Sequence, residues 1–386
     1  MMIKRDIEEY VLKMAKQYPV VAIIGARQTG KTVLSQKLFP DKKYVNFEDP
    51  LLRSIFEIDP ISFLKKYEEG GIFDEIQNVP VLFSYLQILA DKNSKPGQFI
   101  ITGSQNLLIS EKISQSLAGR VSIIELLPFS NSELARSKMS KSTKALSLIY
   151  GSYPPVYDKN LDPADWYKNY INAYVQKDIK QILKIRRIKT FIKFLKLCAH
   201  NAGQLFNIHR ISTETGADKK TIASWLGLLE QTYIIYFLYP YYKNYKKRLI
   251  KTPKLYFYDT GVLCSLLNIC ELNSDSISGE LFENWVISEI KKEIVNHNKH
   301  SELYFWRDSV GEEIDLIIET GKKLVPVEIK LSSTPKPDFA KFLFKWQDIC
   351  TDKIEHANII FGGDEEVQLK NIRYLPWNNI SKIIDI

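Results

Sequence analysis

Along the first third of the chain, short apolar runs alternate with segments of helical period. Residues 19–24, 44–49, 71–76, 98–104 and 121–126 each read as a strand, and several end on polar residues or glycine. Helix-type stretches separate them, at residues 32–39 and again at 113–117. This alternation predicts an α/β domain with an open parallel sheet. Residues 130–180 then read as mostly helical. From Thr190 onward Phe191, Phe194, Leu195, Leu197 and Cys198 share one helical face. A short helix at 208–215, a turn at Gly216-Ala217-Asp218 and a helix at 221–231 follow, with Asp218 as the N-cap. Residues 233–239 and 254–258 read as two strands. The last third opens on a helix at Gly279 and continues as strands at 303–307, 311–318 and 324–330.

The first strand ends in Gly25-Ala26-Arg27-Gln28-Thr29-Gly30-Lys31-Thr32, a Gly-x-x-x-x-Gly-Lys-Thr run between a strand and a helix. That context is the one a phosphate-binding P-loop requires. Glycine sits where backbone must approach a polyphosphate, while loop amides and the helix N-terminus supply partial positive charge. Lys31 is spaced to reach β- and γ-phosphates, and the Thr32 hydroxyl to ligate magnesium. The expected ligands are ATP and Mg2+.

Composition narrows the class. With 386 residues, 45% hydrophobic and 25% charged, the chain is long enough for two to four domains and reads as a folded soluble protein. No apolar run approaches a membrane span, and the first residues lack a signal-peptide core, so a cytoplasmic, membrane-free protein is expected. Cys198, Cys264, Cys270 and Cys350 have neither metal-like nor redox-like spacing. His297 and His300 lie about one turn apart without flanking cysteine and read as an exposed helix face. The net charge of +8 is concentrated. Residues 177–196 carry eight Lys or Arg against Asp178 alone, and residues 243–254 carry six with Tyr245 between them. Such patches suit nucleic acid as a partner.

A second acidic element ends the strand Gly71-Ile72-Phe73-Asp74-Glu75-Ile76. Asp74 is placed for the magnesium shell and Glu75 to activate water. At the polar end of the next strand, one of Ser104, Gln105 and Asn106 is placed to touch γ-phosphate or water. Arg120 precedes the last strand. Strand order, Asp-Glu pair, polar strand end and this arginine together resemble an AAA+ ATPase. The resemblance implies that Arg120 acts as an arginine finger on a neighbouring subunit of a homo-oligomer. Gly151-Ser152-Tyr153-Pro154, Val175-Gln176-Lys177-Asp178-Ile179 and the run from Lys251 through Tyr258-Asp259-Thr260-Gly261 resemble one large prokaryotic family. Its members join an AAA+ domain to a C-terminal region of uncharacterised function. That likeness implies ATP binding, a cytoplasmic location and association with DNA.

Helix, glycine-containing turn and helix, followed by two strands, is the order of a winged helix-turn-helix. Lys219, Lys220, Thr221 and Ser224 then begin the recognition helix, with the Tyr/Lys cluster as wing. Farther on, Glu283 lies in a helix, Asp315 in one strand, and Glu328 and Lys330 share a face of the next. This set resembles the PD-(D/E)xK nuclease fold, although Glu-Glu-Ile-Asp lacks the proline of that motif. The resemblance makes Glu283, Asp315 and Glu328 metal ligands and Lys330 the group that orients the water or stabilises the charged transition state. The expected organisation is a P-loop core over 1–129, a helical lid over 130–185, a winged helix over 186–265 and a nuclease-like α/β domain over 266–386. The principal reading is an ATPase acting on DNA, and the alternative is a nucleotide-controlled protein-interaction switch.

Overall fold

The computed structural model describes residues 3–93, 95–104, 116–174, 188–242, 252–272, 277–308, 310–350, 353–354, 356–369 and 372–384. Its first layer is built from α1 (Glu8–Ala15), β1 (Val20–Ile24), α2 (Lys31–Leu38), β2 (Lys43–Asn46), α3 (Pro50–Ile58), α4 (Pro60–Lys65), β3 (Gly71–Asp74), α5 (Leu82–Asn93), β4 (Phe99–Gly103) and β5 (Val121–Glu125). The strands order as β2-β3-β4-β1-β5, and every pairing is parallel. Helices cover both faces, so β1, β3 and β4 are buried throughout and need continuous apolar runs rather than alternation. One face packs Phe47, Phe56, Phe63, Phe73 and Phe99 together. The other packs Val11 and Met14 of α1 on Val21 and Ile23. Asp49 and Asp59 cap α3 and α4, and each helix has proline at its first turn.

Four short helices follow: α6 (Asn131–Arg136), α7 (Lys144–Tyr150), α8 (Pro154–Asp158) and α9 (Pro163–Tyr174). Ser130 and Glu133 form a reciprocal capping box that fixes the start of α6. Next come α10 (Ile188–His200), α11 (Ile208–Thr215), α12 (Lys219–Gln231), β6 (Ile235–Pro240) and β7 (Lys254–Phe257). Asp218 accepts from the Thr221 amide at 2.9 Å, so α12 begins at Lys219, two residues before the apolar period alone indicates. Trp225 of α12 meets Phe191 and Phe194 of α10 at ring distances of 5.3 and 5.2 Å. The basic residues expected at 177–187 and in the wing at 243–251 lie outside the described residues, as do Gln105 and Asn106.

The remainder comprises α13 (Thr260–Leu266), α14 (Gly279–Asn296), β8 (Ser301–Arg307), β9 (Glu313–Thr320), β10 (Lys323–Lys330), α15 (Lys341–Ile349), β11 (Lys353–Ile354), β12 (Ala357–Phe361), β13 (Val367–Leu369) and β14 (Ile372–Pro376). The second sheet orders as β13-β14-β12-β10-β9-β8-β6-β7, with β11 on β10. Its hairpin β6–β7 joins through a short parallel pairing, Tyr239 with Tyr304 and Pro240 with Phe305. One sheet therefore runs across residue 265. The apolar core is shared as well: Phe129, Tyr153, Phe194, Trp285 and Trp377 belong to one buried cluster. No described helix is long and apolar enough to cross a membrane.

Candidate nucleotide site and carboxylate cluster

The loop after β1 is shaped by two glycines. Gly25 has φ +153°, and a Cβ there would stand 2.1 Å from the Leu126 carbonyl oxygen, inside any contact distance. Gly30 has φ +91° in the left-handed region immediately before α2, where a side chain would be strained. Within the loop, the Thr29 hydroxyl donates to the Ala26 carbonyl at 3.0 Å. Lys31 Nζ donates to the carbonyls of Gly25 at 3.0 Å and Ala26 at 2.6 Å, spanning the concavity. Burial lowers the Lys31 amine to about 8, with Glu75 and Asp74 pulling the other way. An amine so desolvated gains most from an incoming polyanion.

Strand ends deliver the acidic groups. Asp74 Oδ2 accepts from Thr32 Oγ1 at 2.8 Å and from the Tyr44 hydroxyl at 2.7 Å, while Thr102 donates to Oδ1. Glu75 follows in the left-handed region at φ +55°, unusual for a non-glycine residue and frequent at functional sites. That turn aims its carboxylate at Gln77 and at Ser104, whose hydroxyl lies 3.3 Å away. Ser104 also accepts from Gln77 at 3.2 Å. Tyr44, Thr102 and Gln77 were missed in the sequence. They reach Asp74 and Glu75 from neighbouring parallel strands and the following turn, and the available signal was a polar residue near each strand's end. Burial and the hydrogen bond to Asp74 push the Tyr44 phenol well above its ordinary range.

A cavity of about 430 Å³ opens between Lys31, Thr32 and Glu75 on one side and Pro154, Asp158 and Trp166 on the other. A second, of about 360 Å³, adjoins Arg27 and Gln28 and is walled by Trp166 and Tyr170, whose rings stack at 5.1 Å. Thr32 and Asp74 form a pair of hard oxygen donors beside the loop, the donor set that suits Mg2+ next to bound phosphates. Arg120 lies elsewhere. Its carbonyl bonds the Val20 amide at the start of β1, the opposite end from the loop, and its guanidinium pairs with Asp91.

The second constellation forms on β7, α14, β9 and β10. Asp315 accepts from the Ile329 amide at 2.7 Å, next to Glu328, and Lys330 lies 3.9 Å from Asp315 while also pairing with Glu328. Glu283 reaches the same space from α14 and accepts from Tyr256. Burial, then the charge of Asp315, pushes Glu283 up to about 7 and Glu328 up to about 8, and burial raises Asp315. Glu328 Oε2 is buried without a hydrogen-bond partner. The structure thus sets the four residues expected from the sequence around one space, although the oxygens of Glu283, Asp315 and Glu328 do not all lie within 4.8 Å of one another. It adds Lys254, 4% exposed, which pairs with Glu283 at 3.1 Å and with Glu313. Although burial opposes its charge, these carboxylates hold Lys254 well above the ordinary lysine range. Lys254, counted in the sequence with the basic wing, points inward. Lys219, Lys220 and Ser224 stand exposed at the start of α12.

Three family profiles match the chain. Residues 17–135 match an AAA domain, residues 144–273 a domain of unknown function (DUF8612), and residues 278–380 a domain of unknown function (DUF4143). An uncharacterized protein of Mycobacterium tuberculosis is 29% identical over 339 residues, covering 86% of this chain and 75% of the relative. An uncharacterized protein of Methanocaldococcus jannaschii is 26% identical over 397 residues, covering 94% and 86%. Among solved structures, the Walker-type ATPase of Pyrococcus abyssi aligns with a TM-score of 0.46 at 15% identity, covering 69% of this chain and 96% of that one. The loop geometry and the AAA-domain match together make the N-terminal sheet a P-loop ATPase domain.

Proposed function

We propose that the chain is a magnesium-dependent AAA+ ATPase that acts on DNA through the α11–α12 pair and the C-terminal carboxylate cluster. The observation that carries the ATPase reading is Glu75, held in a strained turn beside Ser104 and facing the cavity that Lys31 and Thr32 also line. Lys31 would exchange the Gly25 and Ala26 carbonyls for β- and γ-phosphate oxygens. Thr32 and Asp74 would hold Mg2+, which when bound offsets phosphate charge. Glu75 would orient the attacking water and take its proton, with Ser104 and Gln77 fixing the carboxylate.

For the DNA reading, the support is the concentration of positive charge and the exposed start of α12, where side chains of a recognition helix meet base edges. The pairing of β6 with β8 puts the strand that follows that helix pair in the same sheet as β9 and β10 of the carboxylate cluster. There Glu283, Asp315 and Glu328 would hold a divalent ion, the orphaned Glu328 Oε2 being one donor, and Lys330 would offset charge on a scissile phosphate. Titration with duplex DNA at two salt concentrations tests the reading. A steep salt slope that shallows when Lys246, Lys247 and Arg248 are replaced supports it. Plasmid nicking that needs Mg2+ and vanishes in Asp315→Ala supports the nuclease part.

A second reading, a nucleotide-controlled protein-interaction switch, is favoured by one feature. Leu51, Ile55, Ile58 and Ile61 stand exposed along α3 and α4, with Ile58 83% exposed. Apolar groups so grouped mark contact surfaces. Absence of DNA binding at low salt decides for this second reading.

A further inference from the structure

His297 is exposed, as expected from the sequence, yet it faces a buried carboxylate. It caps the C-terminus of α14, and its ring nitrogen stands 3.3 Å from Glu293 Oε2. One oxygen of Asp6, one of Glu293 and one ring nitrogen of His297 lie within 4.8 Å of one another, a convergence that no other His, Cys, Asp or Glu trio makes among the described residues. Each carboxylate is already committed on one side only. Asp6 Oδ1 pairs with Arg136 at 2.5 Å, and Glu293 Oε1 accepts from Ser132. Of the remaining oxygens, Asp6 Oδ2 is buried with no hydrogen-bond partner, and Glu293 Oε2 is met only by the His297 ring. Glu293 itself is 2% exposed. A desolvated carboxylate oxygen left in this state is costly unless a cation meets it.

We propose that Asp6, Glu293 and His297 form a binding site for a divalent first-row transition metal of the zinc class. Two carboxylate oxygens and one imidazole nitrogen are a borderline donor set, matched to Zn2+, Co2+ or Mn2+ rather than to Mg2+. Ligand atoms around such an ion, at about 2.0–2.2 Å from it, stand about 3.3 Å apart, the separation already present between Glu293 and His297. The half-exposed His297 side leaves a fourth position to water. An ion here would staple the segment preceding α1 to the end of α14. The adjoining Arg5 donates to the Thr29 carbonyl of the P-loop at 3.1 Å and pairs with Glu133. The staple therefore joins the end of α14 to the wall of the nucleotide loop.

The test uses the full chain, stripped with chelator and held in excess Mg2+ to saturate hard oxygen sites. Co2+ is then titrated while its d–d absorption is followed, with Zn2+ as competitor. The expected result is one equivalent bound at micromolar Co2+, displaced by Zn2+, and lost in His297→Ala and in the isosteric Glu293→Gln. Zn2+ should also raise the melting temperature of the wild type and not of His297→Ala. Wild-type absorption equal to that of His297→Ala overturns the proposal. So does an absence of micromolar binding with His297 titrating only as a protonated partner of Glu293, which would mean that a proton alone bridges the carboxylates.

Discussion

Lys292 Nζ donates to Ser152 Oγ at 2.7 Å across 140 residues of chain. Ser152 in turn donates from both its amide and its hydroxyl to Asp259 Oδ2, each at 2.7 Å. Lys292 also pairs with Glu289 at 2.6 Å, and Glu289 accepts from the Asn131 amide at 2.6 Å. Asp259 Oδ1 caps α13. Two of the sequence runs that carried the family resemblance, around Ser152 and around Asp259, thus meet in one buried network that links the helices after the ATPase sheet to α14. Glycine serves this junction directly: a Cβ on Gly261 would stand 2.1 Å from the Tyr167 ring.

Removing one buried charge from that network leaves its partner unpaired. Lys292→Met should destabilise the chain by about 3–5 kcal/mol, because Glu289 then has no cation. Ser152→Ala should cost about 1–3 kcal/mol, through the lost donor to Asp259. The urea midpoint, followed by tryptophan fluorescence, measures both. A Lys292→Met midpoint equal to wild type would mean that the network contributes no stability.

The nucleotide loop separates binding from turnover. Lys31→Ala should abolish ATP binding, since the desolvated amine is the group that gains most from the triphosphate. Glu75→Gln should keep binding and stop hydrolysis, since it retains shape and loses the proton acceptor. Equilibrium binding of a fluorescent ATP analogue and phosphate release, run on both variants, give the two readouts. Hydrolysis surviving in Lys31→Ala would remove the loop from the mechanism.

These residues were legible in the sequence because their geometry is local. Gly25, Gly30, Lys31 and Thr32 sit on one strand–loop–helix unit, and Asp74-Glu75 ends one strand, so the parallel sheet follows from five apolar runs. What the sequence did not disclose is long-range. Tyr44 and Thr102 reach Asp74 only because β2 and β4 flank β3 in parallel. The joining of β6 to β8 rests on two residue pairs, too short a register to leave a pattern. Lys254 follows a basic run and was read with it. Period two along β7 turns it inward, where Tyr256 also points, onto Glu283. Glu293 lies one helical turn before His297 and was in reach of a sequence reading, whereas Asp6, the third member, lies at the other end of the chain.

Trp166 borders both cavities beside the loop. A flat aromatic ring there suits stacking on a nucleobase, worth about 1–3 kcal/mol by alanine substitution. Trp166→Ala should therefore weaken ATP binding by roughly 5–150-fold, and Trp166→Phe by much less. Titration with ATP should quench tryptophan emission in the wild type and not in Trp166→Phe. Equal affinity in all three proteins would exclude stacking on Trp166.

Arg120 offers a test of assembly. In its own chain it pairs with Asp91 at the far end of β1 from the loop. A finger role therefore requires a second copy. On that reading Arg120→Ala keeps nucleotide affinity and loses about 10³-fold or more in turnover. Mixing Arg120→Ala with Lys31→Ala subunits should then restore part of the activity, because each supplies what the other lacks. Full turnover in Arg120→Ala alone would leave the residue as a surface partner of Asp91.

Two lysines in the C-terminal cluster should behave differently on removal. Lys254 is enclosed and is the cation that Glu283 and Glu313 share, so Lys254→Met leaves the buried Glu283 without its counterion, while Glu313 keeps Arg307 at 3.1 Å. A loss of about 3–5 kcal/mol in stability is expected, relieved by combining it with Glu283→Gln. Lys330 has 35% of its side chain exposed and stands at the mouth of the cluster beside Asp315 and Glu328. Lys330→Met should change the melting temperature little, yet remove any Mg2+-dependent nicking of plasmid DNA. Differential scanning calorimetry on the two single variants, alongside the nicking assay, checks the contrast. If Lys330→Met proves the more destabilising, the roles assigned to the two lysines are reversed, and the charge that organises this sheet comes from its mouth rather than from its floor.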